Sequence, residues 1–384
     1  MTGAAIPGAV PRPGLRRAAI LLAPVCAGGW LIGAARAETG SDAGPPPAAR
    51  AAEAGLSTVH KVSARQDRQE AGVTTAAATV MAAPPPSVFS FSDTVVSYRF
   101  QGPAAEPGLF VRRPDGAAGG GFAPREVPKN VVNLFHANSW AYGTNLVSLD
   151  ILRSGSQDPA GDNRRLSKDY GATEAYLIYR GVLSLNRIFD TETFAIPGFV
   201  KDIGLSFGAD INTKDTAFDS EKRAGTFGLS FAFDVPAGFV NLKVQGYKEF
   251  SRNGLAGSIL QRGLVPTFDY SHFRSVEYKM TPEFEITYTI PLPFTGLPLS
   301  LAGFNTIILP KGRYGFLNEN DTQLEFVSQT NLVLDVGQLI ANSPNRVEVF
   351  AGFQYWHNKF GADPRRTINT EEKALIAGIA YHLK

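Results

Sequence analysis

From Gly225 to Phe250 the chain reads GTFGLSFAFDVPAGFVNLKVQGYKEF, two alternating apolar runs on either side of the turn Asp234-Val235-Pro236-Ala237-Gly238. Strand side chains alternate with period two. Phe227, Leu229, Phe231 and Phe233 therefore share one face of the first arm, and Thr226, Gly228, Ser230, Ala232 and Asp234 share the other. The second arm sets Val240, Leu242 and Val244 against Asn241, Lys243, Gln245, Tyr247 and Glu249. With proline and glycine between the arms, the stretch is a β-hairpin, greasy on one face and charged on the other. Alternation alone is compatible with a soluble sheet or a membrane barrel. Arms of roughly ten residues match a tilted strand crossing hydrocarbon, whereas soluble strands more often stop at about five or six.

The amino terminus points to export. Arg16 and Arg17 precede an apolar run from Ala18 to Gly33 that ends in Ala35-Arg36-Ala37, the order of a cleaved signal peptide, here residues 1–37. The run is broken by Pro24, Gly28 and Gly29, and it is short for a membrane-spanning helix, which needs about twenty apolar residues. Cys26, the only cysteine, lies inside it, so the exported chain has no disulfide, thiolate ligand or cysteine nucleophile. Residues 38–87 are rich in alanine and proline, with Pro45-Pro46-Pro47 and Pro84-Pro85-Pro86, and are expected to form a disordered periplasmic leader. Lys+Arg 37 against Asp+Glu 35 gives a formal charge of +2, which calls for no nucleic-acid partner.

From Val88 the texture changes to alternating runs, expected as strands over Val88–Phe100, Lys129–Asn138, Thr144–Arg153, Ala172–Leu185, Lys201–Thr213, Arg223–Asp234, Phe239–Ser251, Tyr278–Ile290, Leu299–Leu309, Thr322–Asp335, Arg346–His357 and Lys373–Leu383. No other segment is apolar enough for a spanning helix, and a closed barrel is the remaining way to satisfy backbone polar groups in lipid. The expected fold is thus all-β, an antiparallel transmembrane barrel of about twelve strands over residues 88–384. Connections are unequal. Gln101–Pro128, Ser154–Gly171, Lys214–Lys222, Arg252–Phe273, Pro310–Asp321 and Asn358–Glu372 are mostly long and polar, while Ser139–Gly143, Asp234–Gly238, Pro291–Pro298 and Gly337–Asn345 are shorter, Asn186–Val200 being the exception. Long outer loops and short inner turns are the outer-membrane pattern.

The residues in order resemble a known family. Lys201-Asp202-Ile203-Gly204-Leu205 leading to Asn212-Thr213-Lys214, then Asp234-Val235-Pro236-Ala237-Gly238-Phe239, Tyr247-Lys248-Glu249, Pro310-Lys311-Gly312 and Tyr355-Trp356-His357-Asn358-Lys359-Phe360-Gly361 resemble the Tsx-type outer-membrane channels, over about Phe91 to His382. The resemblance implies a twelve-stranded barrel in the outer membrane of a Gram-negative bacterium, acting as a passive channel for nucleosides or similar small polar solutes. Gln101–Pro128, with Arg112, Arg113 and Gly119-Gly120-Gly121, stands outside that likeness and is expected to cover the pore mouth.

A nucleoside path needs aromatic faces for the base and polar groups for the ribose. Strand parity turns Tyr176, Arg180, Asp210, Lys243, Tyr247, Glu249, Glu283, Glu285, Gln354, Trp356 and Asn358 inward, and these are the expected pore lining. Glu283 and Glu285, two apart on one face, have the spacing of an acid/base pair, but such pairs more often face Arg or Lys across a lumen. His136, His272, His357 and His382 show no metal-ligand spacing, and Ser271-His272 has no Gly-x-Ser-x-Gly elbow. No cofactor or metal is expected. Arg112-Arg113, Arg164-Arg165 and Arg365-Arg366 fall in outer loops, where they suit lipopolysaccharide phosphates or anionic solutes, with ordinary solvation the equal alternative. The expected partners are the lipid bilayer, lipopolysaccharide, the barrel-assembly machinery and the solute, with the protein a monomer. A barrel enzyme of lipase or protease type and a plugged structural or adhesive barrel remain the alternatives.

Overall fold

The computed structural model describes residues 88–112, 122–155, 158, 171–215, 221–252, 275–314 and 320–383. The signal peptide, the leader, Cys26, Gly119-Gly120-Gly121, Arg113, Arg164-Arg165 and Ser271-His272 lie outside these residues.

Twelve antiparallel strands make the wall: β1 Phe89–Arg112, β2 Phe122–Trp140, β3 Gly143–Ser154, β4 Thr173–Ser184, β5 Val200–Lys214, β6 Glu221–Phe233, β7 Phe239–Arg252, β8 Thr281–Pro291, β9 Leu299–Ile308, β10 Glu325–Asp335, β11 Val347–His357 and β12 Glu372–Leu383. Each pairs with its neighbour in sequence, and β12 returns to β1 with Thr94 opposite Leu383 and Gly102 opposite Leu375. That last ladder closes the cylinder, so no barrel strand is left with an unpaired edge.

The wall is inverted relative to a soluble protein. Phe227 is 65% exposed and Leu375 66%, whereas Glu283 is 1% and Glu372 0%. Large apolar side chains such as Val96, Leu134, Leu229, Ile286, Leu332 and Ile379 are exposed around the circumference, while residues next to them in the strands, such as Asn133, Ser230, Glu285 and Ala380, are buried. No helix among the described residues is long and apolar enough to cross a membrane. An apolar belt with a polar interior is the surface of a barrel dissolved in hydrocarbon.

The twelve expected strands are all present, with ends moved by a few residues. Tyr278 and Thr322 lie just outside β8 and β10: the Tyr278 amide donates to Glu249 O, and the Thr322 amide to Gly312 O. The expected loop Gln101–Pro128 is a correction. β1 runs on to Arg112 and β2 begins at Phe122, through register breaks between Gln101 and Ala104 and between Ala105 and Phe110. Ala104, Ala105 and Val127 are buried, and the Ala105 amide donates to Glu372 at 3.1 Å. The segment therefore extends the wall and tucks part of itself onto the bore.

Two inner connections contain short helices. α1, Leu185–Phe189, starts at Ser184, whose hydroxyl accepts from the Arg187 amide. α2, Val336–Ala341, starts at Asp335, whose carboxylate accepts from the Gln338 amide. Both are N-caps satisfying otherwise orphaned donors. In the β6–β7 turn Gly238 has φ 74°, and a side chain there would meet Thr289 O at 1.9 Å. Only glycine fits that corner.

Phe227 sits midway along β6, so Phe227→Arg should lower the folding free energy by about 2–4 kcal/mol, read from urea unfolding in lipid bilayers.

Candidate functional site

The bore is the candidate site, and its organisation follows from what parity forces inward. Arg180 on β4 lies over Gly208 of β5, where a Cβ would come 2.9 Å from its Cδ. The glycine leaves the side chain room to cross the bore. Its Nη1 donates to Asp210 Oδ1 at 2.5 Å and its Nε to Glu285 Oε2 at 3.0 Å. The second oxygen of Glu285 accepts from Lys243 Nζ at 2.5 Å. One guanidinium thus ties β4 to β5 and, across the interior, to β8. Beside this set, Glu283 accepts from Gln245 Nε2 at 2.7 Å, and Gln245 accepts from Ser206 at 3.0 Å.

Three buried lysines among the described residues are seated on aromatic faces. Lys222 Nζ is 5.8 Å from the Tyr176 ring and 5.3 Å from the Tyr247 ring, with Asp210 at 3.6 Å. Lys311 lies 4.6 Å from the Tyr278 ring and 5.8 Å from Tyr247, bonded to Glu249 at 2.5 Å and near Glu325 at 3.5 Å. Lys359 lies 4.7 Å from the Trp356 ring and bonds Glu372 at 2.7 Å. The aromatic polar ends are occupied too: Tyr247 donates to Glu249 at 2.8 Å and Trp356 to Glu325 at 3.0 Å. Gln354 donates to Glu372 at 2.6 Å.

Nearer the long loops, Glu106 of the extended β1 meets Lys129 at 2.5 Å, Lys214 at 3.3 Å and Lys359 at 3.8 Å. Lys129 also contacts Glu174 at 3.2 Å. In the same part of the wall, Arg99 makes a two-pronged contact with Asp150 at 2.6 and 3.1 Å. His382 sits between Asp93 at 2.9 Å and Glu348 at 3.3 Å.

The expected lining is thus inward and interconnected, apart from Asn358. That residue stands beyond β11 with φ 48° and donates to Leu324 O at 2.8 Å, pinning a loop rather than joining the strand array. Glu283 and Glu285 hold different partners, so they do not form a matched acid/base couple. Lys129, Glu174, Lys214, Lys222 and Glu372 are not in the expected lining: Lys129 and Glu174 have the inward parity of their strands, whereas Lys214, Lys222 and Glu372 stand in stretches expected as outer loops. Glu106, Lys311 and Lys359 lie where the alternation has ended and carried no periodic signal. Among the described residues no His, Cys, Asp and Glu group could hold a metal.

The remaining histidines lie on the outer wall. His136 touches Thr94 Oγ1 at 2.8 Å and Asn138 at 3.2 Å. These three residues sit in strands paired on both sides. His357 is exposed beside Tyr355. In the outer loops, hydrogen bonds from Arg365 hold the Asp363 carboxyl below its ordinary value, and bonds from Tyr355 and Lys373 lower that of Glu371.

No family model and no curated protein matches the chain. Among solved structures, it is similar to an outer membrane channel from Pseudomonas putida F1, with a TM-score of 0.40 and 9% identity over 78% of this chain and 100% of that one. It is also similar to the translocator domain of the autotransporter NalP from Neisseria meningitidis, at 0.35 and 12% over 76% and 88%. A BenF-like porin from Pseudomonas fluorescens Pf-5 stands at 0.29 and 9% over 77% and 100%. Likenesses this distant carry no functional step, and the barrel rests on its own closed ladder.

Arg180→Met leaves Asp210 with only Lys222 beside it, and removes one of the two cations held by Glu285. Stability should fall by about 3–5 kcal/mol. Lys248→Met, which breaks an exposed pair with Glu277, should cost about 0–1 kcal/mol. Chemical unfolding of both variants in the same lipid checks the contrast.

Proposed function

We propose that this protein is a narrow outer-membrane channel for small polar solutes, with nucleosides or molecules of their size as its cargo. The observation that carries the reading is a bore lined by hydrogen-bonding and charged groups inside a closed wall with an apolar exterior. If the interior served only to fill the cylinder, apolar packing would do as well, since replacing buried ion pairs with hydrophobic residues is often neutral or stabilising. A polar lining is what a permeating solute needs in exchange for its water.

The nucleoside reading is supported by the resemblance to Tsx-type channels and by the aromatic faces of Tyr176, Tyr247 and Trp356. Each face is occupied by a lysine of the same chain. A lysine stem is flexible, and a cation on a ring is held by about 0.5–2 kcal/mol. A base that stacks in its place recovers about 1–3 kcal/mol. The exchange is close to balanced, as passage requires.

The plugged-barrel reading has one observation in its favour: Arg180, Lys243, Tyr247, Glu249, Glu283 and Glu285 are all 9% exposed or less. The enzyme reading has less support. Both ring nitrogens of His382 face carboxylates, so neither is open to a nucleophile's proton. The backbone around Thr94, His136 and Asn138 is committed to ladders on both sides, which leaves no free amide pair for an oxyanion.

Purified protein in planar bilayers should give small, discrete conductance steps, and added adenosine should reduce the current. Tyr247→Ala should weaken that block about tenfold, in line with the loss of one stacking contact. Silence at every voltage, in both wild type and Lys222→Ala, defeats the channel reading and favours the plugged barrel.

A further inference from the structure

Several carboxylates that face this bore have no lysine or arginine paired with them among the described residues. Glu283, 1% exposed, has Gln245 as its hydrogen-bond partner, and no described cation lies within ion-pair distance of it. Further toward the short-turn end, Asp335 spends both oxygens on backbone amides, of Gln338 at 2.8 Å and Asn345 at 2.7 Å. Asp93 and Glu348 share the single imidazole of His382. Arg187, the cation on α1, is bonded to Ser139 Oγ and Trp140 O and to neither of those carboxylates.

A second observation is independent of formal charge. The side-chain oxygen of Thr226, which is 6% exposed and inward on β6 beside Arg180 and Tyr247, has no hydrogen-bond partner, and neither does Oδ1 of Asp202 or of Asn331. Bare buried polar atoms cost free energy; the Asp202 and Asn331 oxygens are acceptors, satisfied by a donor or a cation, while the Thr226 hydroxyl can donate or accept. The third observation is that the aromatic faces of the bore already hold ammonium groups, those of Lys222, Lys311 and Lys359. Ring faces attract cations, and carboxylates beside them add to the pull.

We infer that the bore selects cations, and that among organic solutes it favours those carrying an ammonium or other positive group. The inference rests on the channel reading and adds the sign of the cargo. Solutes enter past Asp93 and Glu348 or reach them on leaving, and Glu283 is a bore carboxylate with no described cation in ion-pair distance. An anion meets three carboxylates, Asp93, Glu348 and Glu283, against Arg187 as the cation of that end without a carboxylate partner among the described residues.

The experiment is the zero-current potential of the wild-type protein in planar bilayers under a KCl gradient. The expected result is a potential of the sign set by K⁺, with K⁺ favoured over Cl⁻ severalfold, as an acidic low-dielectric cleft concentrates cations. Glu283→Gln should move the potential toward zero, and Asp93→Asn should do so independently, each checked for folding by heat-modifiable gel mobility. A steady current that prefers Cl⁻, or shows no preference, overturns the inference and leaves the channel reading standing. Absence of current overturns both.

Discussion

A charge brought into this barrel must find its partner inside it, and the rest of the architecture follows from that constraint. An isolated ion in a low-dielectric interior is penalised by several kcal/mol even after relaxation. Arg180 answers the constraint by reaching from β4 across Gly208 to Asp210 and Glu285. Glu106 answers it by collecting three lysines from different parts of the chain. Where the partners belong to strands that are not neighbours, as in Arg180–Glu285 and Glu106–Lys214, the pairs act as cross-struts. They hold the cylinder to one cross-section, a specificity that backbone ladders do not supply.

The same constraint fixes the register. A one-residue slip of β8 would carry Glu283 and Glu285 to the lipid face and bring Phe284 and Ile286 into the ion pairs. The outward shift alone costs carboxylates in hydrocarbon, and the inward shift strands Lys243 and Arg180. Register is therefore specified from both faces of the wall. The extension of β1 belongs to this logic too. It brings Glu106 to the lysines, and the Ala105 amide to Glu372.

This also explains what the sequence makes legible. Period-two alternation marks all twelve strands, and parity turns Arg180, Asp210, Lys243, Tyr247, Glu249, Glu283 and Glu285 inward, because a strand's geometry leaves a side chain only two directions. Parity does not tell which inward residues meet. Arg180 and Glu285 are brought together only by the curvature of the closed wall. Outside strands the signal stops. Lys311 and Lys359 are loop residues whose burial depends on how the loops fold back, and Gln101–Pro128 reads as a loop because its glycines, prolines and register breaks hide the ladder. The helices α1 and α2 are too short for a 3.6-residue period, although Ser184 and Asp335 are ordinary N-cap residues. Asn358 keeps the parity of β11 but stands beyond its end, where φ has already turned positive.

The strengths of the contacts order the events that would open the bore. Arg180 is held by two carboxylates, and removing one partner of a buried pair costs about 3–5 kcal/mol, so it moves last. Lys311 and Lys359 each have a carboxylate within 2.7 Å and are nearly as fixed. Lys222 is the loosest. Its nearest carboxylate is 3.6 Å away, its hydrogen bond to the Tyr176 hydroxyl is 3.4 Å long, and the remainder of its hold is the two tyrosine faces. At about 0.5–2 kcal/mol for a cation on a ring, that hold is within a few times thermal energy. Swinging Lys222 aside bares the Tyr176 face and leaves Tyr247 with Lys311 as its cation, while the Arg180 strut stays in place. A bore built this way widens first along the wall formed by β4, β6 and β7, where the aromatic faces are, and keeps its cross-section elsewhere. On the proposed channel reading, passage and rigidity then depend on different residues, so that one interior can be both tightly paired and permeable.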